Sequence, residues 1–136
     1  MALTSWQELE RGVFGAEFVI GTETAGDAIT VNVQLLNRNG DDLDHMAAGI
    51  GYLSSDAAGL NHVAVPGSVA AGTDGSVVVL GQISSEDAVF HWVSEADGDL
   101  DVVVTGDTGA DTVYLNLVMP QTGRVITSDA IVIAAD

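Results

Sequence analysis

The sequence predicts an all-β sandwich of about eight antiparallel strands, preceded by a short N-terminal helix or arm. Three observations carry the all-β part. Apolar residues recur with period two in several separate stretches, which marks strands with one buried and one wet face. Glycine-bearing turns punctuate those stretches. Almost no segment shows the 3.6-residue period of a helix.

Taken in order, "TSWQELERG" is the one helical candidate. Ser5 and Glu8 fit a capping box and Gly12 can end the turn. Two turns are too few to stand alone in water, so residues 1–13 read as an arm and 14–136 as the sandwich. Weaker strand signals lie at 14–20, 48–54, 76–80 and 88–94. The strong ones are "AITVNVQLL", "LDVVVT", "TVYLNLVM" and "DAIVIA". Their alternation assigns Ile29, Val31, Val33, Leu35, Leu100, Val102, Val104, Leu115, Leu117, Ile131 and Ile133 to the core. Turns are expected at Asn39-Gly40, at Asp97-Gly98 and at Gly123, where glycine supplies positive φ at little cost. The stretch 55–76 has no clean period and reads as a long excursion.

At 136 residues the chain has the size of one domain and is long enough to bury its own core. It has no cysteine, which excludes disulfides, thiolate catalysis and Cys-bound zinc. No apolar run is long enough to span a bilayer, and the N-terminus lacks the pattern of a signal peptide, so synthesis in a cytosol is expected. Twenty acidic residues against three arginines and no lysine give a net charge of −17. Such a surface repels nucleic acid and anionic membrane, suits a saline medium, and keeps the chain soluble. With 47% hydrophobic residues the acidity decorates a filled core and does not signal disorder.

The chemical motifs are weak. Asp107-Thr108-Gly109-Ala110 spells the signature of retroviral-type aspartic proteases, which need two carboxylates buried side by side. Gly106 precedes the aspartate, and too little chain follows for a flap, so "TGDTGAD" reads as a hairpin loop. Asp97, Asp99 and Asp101 mimic the first ligands of an EF-hand loop. Val102 and Thr108 then stand where glycine and glutamate are required. Asp99 and Asp101 are therefore expected as neighbours on an exposed strand face. His45, His62 and His91 lack metal-ligand spacing. No nucleophile elbow or phosphate loop is present, and lysine chemistry is absent. The expectation is a protein with no catalytic residues, no cofactor and no metal. Trp6, Leu9, Arg11, Phe14 and Phe18 are the candidate partner-contacting residues, because buried aromatics and arginine dominate interface energetics.

The blocks "GYLSSDAAG", "GTDGSVV", "WVSEADGDLDVVVT" and "TVYLNLVMPQTGRVITSDAIVIA" resemble a group of small Ig-like virion proteins of tailed bacteriophages. The resemblance spans roughly residues 20–134. It implies an Ig-like sandwich that decorates or cements a capsid, with the major capsid protein as partner and the capsid surface as location. It also implies a homotrimer or other homo-oligomer on the capsid. The alternative is an Ig-like adhesion module that binds host-surface glycan, for which Tyr52 is the best-placed aromatic.

Overall fold

The computed structural model describes residues 12–60, 65–83, 86–106 and 110–134. It contains ten strands and, among the described residues, no helix. These are β1 (Gly15–Ile20), β2 (Ala28–Leu36), β3 (Ala48–Ser54), β4 (Gly67–Ala71) and β5 (Ser76–Ile83). They continue with β6 (Glu86–Val93), β7 (Asp99–Gly106), β8 (Asp111–Val118), β9 (Val125–Thr127) and β10 (Ile131–Ile133). One sheet has the order β1-β2-β7-β4 and the other β10-β8-β3-β6-β5, with β9 also paired to β8. All named pairings are antiparallel.

In space this is the Ig-like arrangement, A-B-E-D facing G-F-C, with β6 and β5 extending the second sheet. β4 takes the D place, although it precedes β5 and β6 along the chain. β9 and β10 lie end to end along one side of β8. Between them Ser128 keeps the ladder connected, its backbone N–H donating to Leu115 O and its hydroxyl accepting from Leu115 N.

The interior follows from the alternation. Every core residue expected from the sequence is buried, and Val31, Val33, Leu100, Val102, Leu115 and Leu117 are completely so. Phe90 and Trp92 on β6 and Leu53 on β3 are equally enclosed. The two aromatics lie over β3 where it has no side chains of its own. A Cβ on Gly49 would come within 2.6 Å of Trp92, and one on Gly51 would collide with the ring of Phe90. Two glycines on the inward face of β3 thus make room for two large rings. The indole N–H of Trp92 is buried with no acceptor among the described residues, a cost of about 1–3 kcal/mol.

Two expectations change here. The excursion over 55–76 contains a strand, β4, which pairs with β7 through Val69↔Val104. Its buried positions are only Gly67 and Val69, and Gly67 has no side chain, so no period shows. The segment after β7 does not join a hairpin either. β7 and β8 belong to different sheets, so the chain crosses between layers there; Asp107 itself lies outside the described residues. Val13, at the junction of arm and sandwich, is buried in the core. The helix expected in the arm lies outside the described residues. Gly40, Gly98 and Gly123 adopt positive φ at the expected turns.

Truncating Leu115 to Ala removes a fully enclosed side chain from the centre of the second sheet. It is expected to cost about 2–4 kcal/mol in denaturant unfolding, through lost burial and a residual cavity.

Candidate functional site: an acidic end and an uncharged sheet face

The connections β2–β3, β4–β5 and β6–β7 all emerge at one end of the sandwich. They bring Asp41, Asp42, Asp44, Asp74, Glu95 and Asp97 together there. The β2–β3 and β6–β7 connections enclose a shallow depression of about 710 Å³ around Asp42, Leu43, Asp44, Glu95 and Asp97. Asp97 of this lining is followed by Gly98, whose φ is +78° and where a Cβ would lie 2.8 Å from that of Leu43. Gln34 ties the same turn to β2, donating to Asp97 O at 2.9 Å.

Beside the depression, carboxylate oxygens of Asp74, Glu95 and Asp99 lie within 4.8 Å of one another. Asp101 is adjacent but serves a different purpose. Alternation predicts an exposed position for it, yet it is only 8% exposed. The reason is long-range. β7 runs between β2 and β4, and the chain at 72–74 folds across its outer side, a Cβ on Gly72 falling 2.6 Å from that of Asp101. Asn32, directly opposite in register, donates to Asp101 Oδ1 at 2.9 Å and to Asp99 Oδ1 at 2.7 Å. The Asp74 N–H donates to Asp101 Oδ2 at 3.1 Å. Asp97 accepts from the Asp99 N–H and so shapes the turn. Spacing along the chain groups Asp97, Asp99 and Asp101 as an EF-hand mimic. The cluster that forms instead joins Asp99 to Asp74 and Glu95, which carry no local signal.

Electrostatically the cluster opposes itself. Loss of water on the inner side, then the charges of Asp99 and Asp101, raise Asp74 above the ordinary carboxyl range. Loss of water, then Asp74, Asp97, Asp99 and Asp101, raise Glu95 likewise. Three converging hard oxygens are also what a divalent cation such as Ca²⁺ takes as ligands.

The second feature is the outer face of the larger sheet. One cross-strand row runs Val78 (β5), His91 (β6), Ile50 (β3), Val118 (β8) and Val125 (β9), each residue directly opposite the next. Val78, Ile50 and Val125 are 57%, 48% and 40% exposed. On one side of this row stand Ser76, Val93 and Ala48; on the other stand Val89, Tyr52, Asn116 and Thr127. None of these positions holds a carboxylate, in a chain with 20 of them.

Asn116 is fully buried and holds its neighbours, donating to Ser54 Oγ at 2.9 Å and accepting from Thr127 Oγ1 at 2.7 Å. Next to it Tyr52, Gly59, Leu60, Ile83 and Val89 line an apolar recess of about 440 Å³. The Tyr52 hydroxyl donates to Gly59 O at 2.7 Å. Burial, and secondarily the Asp56 charge, raises its pKa above the ordinary tyrosine value.

The sequence-derived contact residues divide. Phe18 is half-buried on β1 and packs against the core, and Phe14 is half-buried with its N–H donating to Leu36 O. Trp6, Leu9 and Arg11 lie outside the described residues. His45 sits at 3.1 Å from Asp44, and His91 stands in the carboxylate-free row, so neither joins the acidic trio. Among known proteins, no family model and no curated protein matches the chain.

A raised carboxyl pKa in the fold means that the folded chain holds the proton more tightly than the unfolded one. As pH falls through the interval between the ordinary and the raised values, protonation of Asp74 and Glu95 therefore adds stability, and at neutral pH their charges subtract from it. Glu95→Gln is expected to raise the thermal midpoint at pH 7 and low ionic strength. That gain should shrink by more than half in about 1 M NaCl, where the screening length falls to ~3 Å. Differential scanning calorimetry in the two buffers measures both effects.

Proposed function

We propose that this protein is a structural virion protein of a tailed bacteriophage. In this reading it decorates or cements the capsid by binding the major capsid protein and performs no catalysis. The observation that supports it is the carboxylate-free middle of the larger sheet's outer face. A molecule with a net charge of −17 has little reason to keep a row of exposed Val78, Ile50 and Val125 free of carboxylates unless something covers it. A rigid two-layer sandwich is suited to that work. Its face is held by ladders on both sides, so little ordering cost falls on the interface when it docks. Many copies would add their separate contributions to the strength of a shell.

The acidic end fits the same reading, because it sets a concentration of charge apart from the face and keeps the free chain soluble before assembly. The resemblance of residues 20–134 to small Ig-like phage virion proteins concerns strands β2 to β10, which include the whole of this face. Adhesion to host-surface glycan is the second reading, and the recess beside Tyr52 and Leu60 is what favours it. Glycan contacts usually need an aromatic with a free face and hydroxyl, however, and here the hydroxyl is committed to Gly59.

Particles assembled without this chain, mixed with the purified protein and sedimented, provide the test. The wild type is expected to co-sediment at a saturable number of copies. Ile50→Asp should keep its fold and bind on the order of ten-fold less, since it sets an unpaired charge in an apolar contact. Wild-type protein that stays in the supernatant would overturn the proposal, and selective retention on a glycan array would favour the second reading. Removing residues 1–12 retains Val13, which is buried in the core. It is expected to preserve the circular dichroism spectrum while weakening co-sedimentation, which would assign Trp6, Leu9 and Arg11 to attachment.

A further inference from the structure

We infer that Asn39-Gly40, in the connection from β2 to β3, is a site of spontaneous deamidation. Water replaces the side-chain amide there and leaves aspartate or isoaspartate.

The step balances without a catalyst or an oxidant. The backbone nitrogen of Gly40 loses its proton to hydroxide and attacks Asn39 Cγ. A bond from that nitrogen to Cγ forms, the bond from Cγ to the amide nitrogen breaks, and ammonia leaves with a proton from solvent. The five-membered succinimide then takes up one water. Opening at one carbonyl gives aspartate, and opening at the other gives isoaspartate, whose main chain is longer by one carbon. Glycine matters in second place because a Cβ there would crowd the closing ring.

Three places in the chain set an asparagine or aspartate before a glycine: Asn39-Gly40, Asp74-Gly75 and Asp97-Gly98. The structure separates them. A Cβ on Gly75 would meet Val93 O at 2.6 Å, and one on Gly98 would meet that of Leu43 at 2.8 Å, so both turns are packed against their surroundings. Their aspartates are ionised at alkaline pH, and a carboxylate carbon resists nucleophiles. Gly40 is exposed, and nothing lies within 4 Å of the place its Cβ would take. Asn39 is exposed as well, and no hydrogen bond holds its side-chain amide among the described residues.

The other described asparagines are engaged. Asn32 donates to Asp99 and Asp101, Asn37 Oδ1 accepts from the Asn39 and Asp41 N–H groups, and Asn116 is fully buried. Each is followed by a residue with a side chain, Val33, Arg38 and Leu117.

Two backbone bonds oppose the reaction. The Gly40 N–H donates to Asn37 O at 3.0 Å and the Asn37 N–H to Asp41 O at 2.8 Å, so the turn must open before the ring closes. Residues 38–41 are all exposed, so this opening uncovers no buried side chain and needs no global unfolding. The product places one more carboxylate beside Asp41 and Asp42, at the acidic end. None of the carboxylate-free positions lies between 37 and 41, so the reaction proceeds whether or not that face binds a capsid.

The test incubates the purified full chain at neutral and at alkaline pH, then digests it with pepsin in acid, where ring closure is slow. Mass spectrometry is expected to find the gain of one amide-to-acid exchange at Asn39, on the order of ten-fold above any other asparagine and faster at alkaline pH. Fragmentation should show isoaspartate together with aspartate, because direct hydrolysis of the amide gives aspartate alone. Asn39→Gln, whose longer side chain closes a six-membered ring slowly, should keep the wild-type circular dichroism spectrum and lose the gain. Asn39→Asp should elute with the aspartyl product on an anion exchanger. Three results would each overturn the inference: a gain spread over several asparagines, aspartate without isoaspartate, or a folded chain that stays unchanged while the urea-unfolded chain reacts.

Discussion

Closure of two sheets over a single apolar interior governs the remainder of the molecule. β2 and β7 in one layer face β3, β6 and β8 in the other, and their inward positions are apolar almost without exception. Within the larger sheet the chain gives up side chains altogether to achieve this. Gly49 and Gly51 on β3 leave the space that Trp92 and Phe90 fill from the neighbouring strand. Large rings against bare backbone conserve volume, and they make the β3–β6 contact dependent on both partners at once.

Two polar side chains caught in the closure are bound in place. Asn116 is wholly enclosed between β3 and β9, and its amide is shared among Ser54, Thr127 and backbone carbonyls. Asp101 is treated likewise on the other layer, where Asn32 and the Asp74 N–H hold its two oxygens. These bonds do more than satisfy atoms. The first group ties β3, β8 and β9 together beside the recess at Tyr52. The second draws the β4–β5 connection over β7 and brings Asp74 to Glu95 and Asp99. The like-charge repulsion at the acidic end is thus a by-product of a buried polar pair that the fold requires.

Separation of charge from apolar surface is what links fold and function. The clustered carboxylates occupy one end of the sandwich, while the middle rows of the larger sheet carry none. The capsid reading draws on this asymmetry, through the face of the sheet.

How much of this is legible in the residues follows from the range of the forces involved. Alternation and turn chemistry are local, so the strong strands, their buried faces and the positive-φ glycines can be read from the chain itself. Val33 and Leu115 are assigned inward because the positions beside them, Asn32, Gln34, Tyr114 and Asn116, carry polar groups. Alternation says that a strand has a dry side, but it does not say which strand lies beside it. The parting of β7 and β8 into different layers, and the pairing of β4 with β7, come from the folded arrangement. The burial of Asp101 is equally beyond local pattern, because it is imposed by Gly72 and by Asp74, which lies 27 residues away along the chain. The carboxylate-free row is the plainest case. Val78, His91, Ile50, Val118 and Val125 come from five strands, and they become one surface only when hydrogen-bonded register sets them side by side.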